Sequence, residues 1–287
     1  MSAMTEAKVT RPVMRYHGGK WRIARWVIGH FPLHDLYVEP FAGAASILMR
    51  KPRSRGEIIN DLDSEVVNLF RVLRDRVTAA ELERLIRLTP FARDEFNAAY
   101  EPTEDDPVER ARRTVVRSFM GHGSGSHGKH YRHRTGFRAY SQRSYEYDWV
   151  NWPDVVPAIT ARLAGVVVEN RPAVRVIERY DGPDTLHYVD PPYVHKTRER
   201  VGVYRHEMTD DDHRELAAVL RSADGMVVLS GYPGALYDEL YGDWLRAERS
   251  ALADCASPRT ECVWLNPAAA ARRPHLGLFG WLTPSSV

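Results

Sequence analysis

Cysteine is nearly absent from this chain. Cys255 and Cys262 are the only two, and they are not spaced as a CxxC pair. That excludes a disulfide scaffold or a structural zinc site and points to a reducing compartment. Lysine is scarce too, with 5 against 35 arginines; a GC-rich coding sequence explains this better than selection for DNA contacts. No apolar run approaches the roughly 20 residues that span a bilayer. The polar stretch 1–12 lacks the apolar centre of a signal peptide. A cytoplasmic protein with no membrane attachment is therefore expected. Neither sign of charge dominates, since the net charge is +2, so where the charge sits matters more than its sum. There is no GxGxxG fingerprint and no GxxxxGK[ST] phosphate loop. The histidines lack ligand spacing and no PD…(D/E)xK arrangement occurs, so no metal is expected.

What is present alternates between strand and helix. Leu36-Tyr37-Val38 reads as a short buried strand, and Gly43 onward as a helix opening from it, after an earlier helical stretch at 21–31. Glu57 to Asp61 reads as a second strand. Ser64 or Asp63 can cap the helix that follows, whose apolar face is Val66, Val67, Leu69, Phe70 and Leu73. Helices are predicted over 78–88, 91–100, 107–120, 155–163 and 210–221. Further strands are predicted over 165–168, 185–189 and 226–230, and a terminal hairpin from 246–251 and 262–265. This alternation implies an α/β fold with a mostly parallel sheet covered on both faces. Residues 1–70 and 153–287 would form that unit. Residues 71–152 read as a mainly helical insertion ending in a Gly-, Ser- and Arg-rich loop.

The strongest chemical signal is Asp190-Pro191-Pro192-Tyr193, at the end of the apolar strand 185–189. Two prolines cannot continue a central strand, so the chain must leave the sheet there. In open α/β sheets, ligands sit beyond the carboxyl ends of the strands. An aromatic amine offers two N–H donors; the Asp190 carboxylate and the Pro191 carbonyl can accept both, and Tyr193 can stack on the ring. A bare strand-ending turn would share the prolines but has no need of the acid and the ring. Tyr37-Val38-Glu39-Pro40-Phe41-Ala42-Gly43 is a strand followed by a turn of small residues, which lets a ligand approach the backbone closely. Packing alone can also favour small residues there. Asn60-Asp61-Leu62-Asp63 ends the next strand. Asp61 is placed to accept from both hydroxyls of a ribose, and Asp63 is better read as a helix cap. Tyr16-His17-Gly18-Gly19-Lys20 presents backbone N–H groups and one cation suited to a carboxylate.

Taken in that order, these motifs resemble the D12-class DNA adenine-N6 methyltransferases, the family of bacterial and phage DNA adenine methylases. The resemblance runs through essentially the whole chain, down to Arg259-Thr260-Glu261-Cys262-Val263-Trp264-Leu265-Asn266. It implies a Rossmann-like methyltransferase fold with an inserted target-recognition domain, and S-adenosyl-L-methionine as methyl donor. By resemblance, Glu39, Phe41, Gly43 and Asp61 hold that donor, with Tyr16, Gly19 and Lys20 near its methionine end. The family's further cofactor contact falls in Glu169-Asn170-Arg171-Pro172, where Asn170 is the candidate. Asp190, Pro191, Pro192 and Tyr193 form the catalytic corner. Ala45 stands where many relatives have glycine.

Residues 110–145 contain no Asp or Glu and nine cations: Arg110, Arg112, Arg113, Arg117, Lys129, Arg132, Arg134, Arg138 and Arg143. Such a segment suits phosphates, and arginine can read guanine edges in the major groove. The resemblance makes it the reader of double-stranded DNA, with Thr135-Gly136-Phe137-Arg138 at its contacting hairpin. Arg117, Lys129, Arg132, Arg134, Arg138 and Arg143 are the DNA-binding candidates, although Arg112, Arg113 and Arg117 fall on a predicted helix where they can touch phosphates or structural carboxylates. The expected protein is a monomer or weak dimer that methylates adenine in DNA, in a phage or restriction-modification setting. The same corner also suits cytosine N4 or an RNA base, and a DNA-binding module without catalysis would keep the charged segment alone.

Overall fold

A computed structural model describes residues 8–101, 106–122, 136–138, 145–193, 207–252 and 258–273. Its seven strands are β1 (Leu36–Glu39), β2 (Gly56–Asn60), β3 (Val167–Glu169), β4 (Thr185–Val189), β5 (Met226–Gly231), β6 (Leu245–Leu252) and β7 (Pro258–Leu265). They form one sheet in the order β3-β2-β1-β4-β5-β7-β6. The first five in that order are parallel, and β7 runs antiparallel to both β5 and β6. The strand order reverses direction between β1 and β4, which opens a crevice at their carboxyl ends. This is a Rossmann-like methyltransferase architecture, and the predicted terminal hairpin is β6–β7.

Burial on both faces explains why β4 and β5 read as apolar runs rather than alternating ones. Leu186 and Tyr188 face one buried cluster while Val189 faces another; Met226 and Val228 alternate in the same way with Val227 and Leu229. The first face is covered by α2 (Ser64–Arg74), α5 (Pro107–Met120) and α7 (Val156–Leu163). The second is covered by α8 (Ala173–Tyr180), α9 (Asp210–Ser222) and α10 (Ala235–Tyr241). Between α2 and α5 come α3 (Arg76–Leu88) and α4 (Arg93–Ala98), and α6 (Tyr145–Val150) precedes α7. The helices of 71–152 share one continuous buried cluster with the sheet, in which Leu82, Phe96, Val115 and Trp152 join Ile59 and Leu186. Trp152 Nε1 donates to Val13 O at 2.8 Å, and Ser118 Oγ accepts from Arg15 N at 2.7 Å, so the N-terminal stretch is tied to this layer.

Capping follows the sequence closely. Asp63, not Ser64, caps α2 by accepting from Glu65 N, and Asp106 caps α5 ahead of Pro107. Two expected helices differ. The stretch 21–31 is helical only at α1 (Ala24–Ile28), and the segment after Gly43 is a run of turns. The second departure has a local cause: Gly43 and Ala45 adopt φ of 49° and 48°, so the chain twice enters the left-handed region. A right-handed helix cannot start through those angles. The small helices α8 and α10 and the final α11 (Pro267–Ala271) complete the set.

Candidate active site

Beyond the carboxyl ends of β1, β2 and β4 lies a cavity of about 260 Å³. Its lining draws on the Gly-Gly-Lys turn (Tyr16 to Lys20), the β1 turn (Glu39, Phe41 to Ala44), the β2 end (Asp61 to Asp63) and the β4 end (Tyr188, Asp190, Pro192). The motifs that are dispersed in sequence thus meet around one space. The crevice contains both the Glu39–Asp61 side and the Asp190 side.

Side-chain hydrogen bonds to the backbone lock the strand ends together. Asn60 donates to Pro40 O at 2.8 Å and to Arg171 O at 3.0 Å, while its Oδ1 accepts from Arg171 N at 2.9 Å. One buried amide therefore joins the loops after β1, β2 and β3. Asp61 Oδ2 accepts from Gly43 N and its Oδ1 from Asp63 N, both at 2.8 Å. Burial pushes the Asp61 carboxyl up to about 6, although those N–H groups oppose the rise. A Cβ on Gly43 would stand 2.7 Å from the Tyr16 ring, so glycine here meets both a left-handed φ and a close approach.

Glu39 is the most confined carboxylate of the site. Its Oε2 accepts from Tyr37 Oη at 2.9 Å and from Leu48 N at 3.2 Å. Burial pushes it up to about 8; the Tyr37 hydroxyl opposes this and the Asp190 charge adds to it. With the recorded hydrogen bonds gathered on one oxygen, the carboxylate is held in one orientation and suits a cation brought into the cavity.

On the β4 side, Lys20 Nζ lies 3.0 Å from Asp190 Oδ1 and also donates to Gly18 O at 2.8 Å. Burial raises the Asp190 carboxyl and the Lys20 ammonium pulls it back down. The same ammonium sits 4.7 Å over the Tyr193 ring. Tyr193 is buried and lies outside the lining; its hydroxyl donates to Glu261 Oε2 at 3.2 Å. Lys20 thus contacts Asp190 and Tyr193 and also lines the cavity that the sequence reading assigns to the donor.

Several candidates have other surroundings than expected. Asn170 does not line the cavity: it donates to Asp61 O at 2.7 Å and Leu62 O at 3.3 Å, holding the loop that carries Asp61. Arg117 is buried at 2% exposure, so it cannot reach DNA; its NH1 donates to Ala99 O at 2.6 Å and its NH2 lies 3.9 Å from Glu65. Arg112 pairs with Glu95 and Glu109, Arg113 with Glu109, and Arg110 with Glu65. Arg138 is buried as well, beside Phe137, whose ring packs on Phe91 and Phe96. Lys129, Arg132, Arg134 and Arg143 lie outside the described residues.

The sequence reading reached a further wall of the cavity only at Pro172, the last residue of its 169–172 stretch, and missed the rest: Ala173 and Val174 at the start of α8 and Met208, Asp212, Glu215 and Leu216 around the start of α9. The signal was present as a capping box, Thr209 with Asp212, which fixes where α9 begins. Tyr188 also lines the cavity and is tied to Ser230 at 3.0 Å. Among the described residues, no group of three or more His, Cys, Asp or Glu could hold a metal ion, and no helix is long and apolar enough to cross a membrane.

Comparison with known proteins agrees with this arrangement. DNA adenine methylase of Escherichia coli K12 is 29% identical over 104 residues, covering 33% of this chain and 37% of that protein. The Salmonella typhi DNA adenine methylase matches with the same identity and coverage. The Serratia marcescens DNA adenine methylase is 32% identical over 90 residues, 31% of this chain and 32% of that protein. The aligned region therefore spans about a third of these relatives' length. The profile of the D12 class N6 adenine-specific DNA methyltransferases, in contrast, matches residues 16–249. That stretch runs from the Gly-Gly-Lys turn through both cavity walls and the catalytic corner, and the chain belongs to the D12 class N6 adenine-specific DNA methyltransferase family.

Proposed function

We propose that this protein transfers a methyl group from S-adenosylmethionine to the N6 amine of an adenine flipped out of duplex DNA. The observation that carries the reading is the opening of Asp190, at its Pro-Pro corner, onto the same cavity as Glu39 and Asp61. The residues fit the donor. Glu39 is a buried, oriented carboxylate for its ammonium, and Asp61 is a strand-end acid for the ribose hydroxyls. Gly43 leaves room where a Cβ would collide with Tyr16. Phe41, Leu62, Pro172, Val174 and Met208 supply apolar surface for a purine. When bound, S-adenosylmethionine supplies an electrophilic methyl on a sulfonium, a good leaving group.

The chain's own work is then chiefly positioning. Asp190 and the Pro191 carbonyl accept hydrogen bonds from the adenine amine, which directs the nitrogen lone pair toward the methyl donor. Lys20 opposes the rise that burial imposes on the Asp190 carboxyl, since an adjacent cation favours the charged form. Two consecutive prolines restrict the corner, so its acceptors are fixed before substrate arrives. Extruding a paired base costs a few kcal/mol, recovered through stacking and amine recognition in the pocket.

Expression in a methylation-deficient host, followed by sequencing that detects modified bases, tests this. The wild-type chain should leave N6-methyladenine at a defined site, and Asp190→Ala should leave none while still binding S-adenosylmethionine in calorimetry. Unmodified DNA from the wild-type strain, or N4-methylcytosine instead, would overturn the reading.

A further inference from the structure

We propose that Glu261 is a positioning residue for methyl transfer, holding the Tyr193 hydroxyl so that the ring stays fixed beside Asp190. The inference rests on the transfer reading above. Tyr193 is the last residue of the catalytic corner, and an aromatic ring on two single bonds has alternative rotamers unless something holds it. Its hydroxyl donates to Glu261 Oε2 at 3.2 Å, and its ring meets Tyr232 edge-on at 4.4 Å between centroids and 67°. These contacts come from outside β4. Glu261 stands on β7, where Gly231 pairs with Cys262, so the antiparallel register brings Glu261 and Tyr232 to the same end of the sheet as Asp190. The Arg259 guanidinium lies 5.3 Å over the Tyr232 ring and backs the assembly. The terminal hairpin therefore reaches into the site rather than merely closing the sheet.

The carboxylate has a second effect that separates positioning from plain stabilisation. The charged and titratable groups around Asp190 are Lys20, Glu39, Tyr188, Tyr193 and Glu261. Of these Lys20 and the Tyr193 hydroxyl lower the Asp190 carboxyl, and Glu261 raises it by its charge. Glu261→Gln keeps an oxygen to accept from Tyr193 but removes the charge, whereas Glu261→Ala removes both.

The test measures single-turnover methylation of duplex DNA across pH. Glu261→Ala should slow transfer about 10- to 100-fold with the KM for S-adenosylmethionine unchanged, and Tyr193→Phe should do the same. The double variant should be no slower than Tyr193→Phe alone, because that change already removes the contact with Glu261 along with the hydroxyl's bond to Asp190. Glu261→Gln should recover most of the rate and move the acid limb of the profile to lower pH. Multiplicative losses in the double variant, a fully active Glu261→Ala, or an unshifted acid limb in Glu261→Gln would overturn the inference. Should Glu261→Ala fail to fold, the Glu261→Gln shift and the Tyr193→Phe loss decide it. A wild-type protein that leaves DNA unmethylated refutes the underlying function; an active wild type with indifferent Glu261 variants refutes this inference alone.

Discussion

Glu39→Gln separates what the site costs the fold from what it does for a ligand. Burial lifts the Glu39 carboxyl from its ordinary 4.5 to about 8. Between those values the folded chain keeps a proton that the unfolded chain has released, so stability from this group falls as pH rises through that window. At about 1.4 kcal/mol per pH unit, the penalty at neutral pH is on the order of 3 kcal/mol. Glutamine has the same shape, carries no charge to desolvate, and its amide oxygen can accept from Tyr37 and Leu48 as Oε2 does. Urea unfolding of both proteins across about pH 5 to 8 reads the difference directly. The variant should gain on wild type steadily with pH, from near equality at the acid end to as much as about 3 kcal/mol at neutrality. The same variant should bind S-adenosylmethionine more weakly, since a neutral amide cannot pair with an ammonium. Parallel stability curves for the two proteins would refute the raised Glu39 carboxyl. Unchanged affinity would refute its role toward the ligand.

Two further outcomes test the corrections made by the structure. Arg117→Ala should destabilise the fold by about 1–3 kcal/mol, because the Ala99 carbonyl and the Thr114 hydroxyl lose a buried donor while Glu65 keeps Arg110. The salt dependence of DNA binding, read by anisotropy at a temperature where the variant is folded, should keep its slope; a drop of about 0.9 in that slope would mean that Arg117 neutralises a phosphate. Ala45→Gly should change stability by less than about 1 kcal/mol in thermal unfolding. Relief of the left-handed φ, about 1–2 kcal/mol, is offset by about 0.4–1 kcal/mol of glycine entropy and about 0.8 kcal/mol for the buried methyl. Ala45→Val, which adds branching at a left-handed angle, should lose more than about 2 kcal/mol; equal stability of the two variants would show that the backbone at Ala45 is not strained.

What the sequence disclosed, and what it withheld, divides by the range of the physics involved. The strand 185–189 and the helix 107–120 were legible because their determinants are local: an apolar run stopped by two prolines, and an Asp-Pro start with an amphipathic face. The acids Glu39, Asp61 and Asp190 were legible because strand ends are where an α/β sheet places its ligands. The helix expected after Gly43 failed although its apolar pattern is sound, since spacing carries no information about the φ that Gly43 and Ala45 must adopt. The acid-free window misled in a different way. Its arginines looked unbalanced because no carboxylate lies inside it, yet Glu65, Glu95 and Glu109 reach in from outside to pair with Arg110, Arg112 and Arg113. Counting charges along a chain therefore measures what a segment carries and not what it exposes. Glu261 shows the same limit from the opposite side. It appeared in sequence only as part of a terminal strand, and its bearing on Tyr193 arises from an antiparallel register that brings together groups 68 positions apart. A residue that touches the reaction can be found by its local chemistry; a residue that holds another in place requires the sheet to be assembled first.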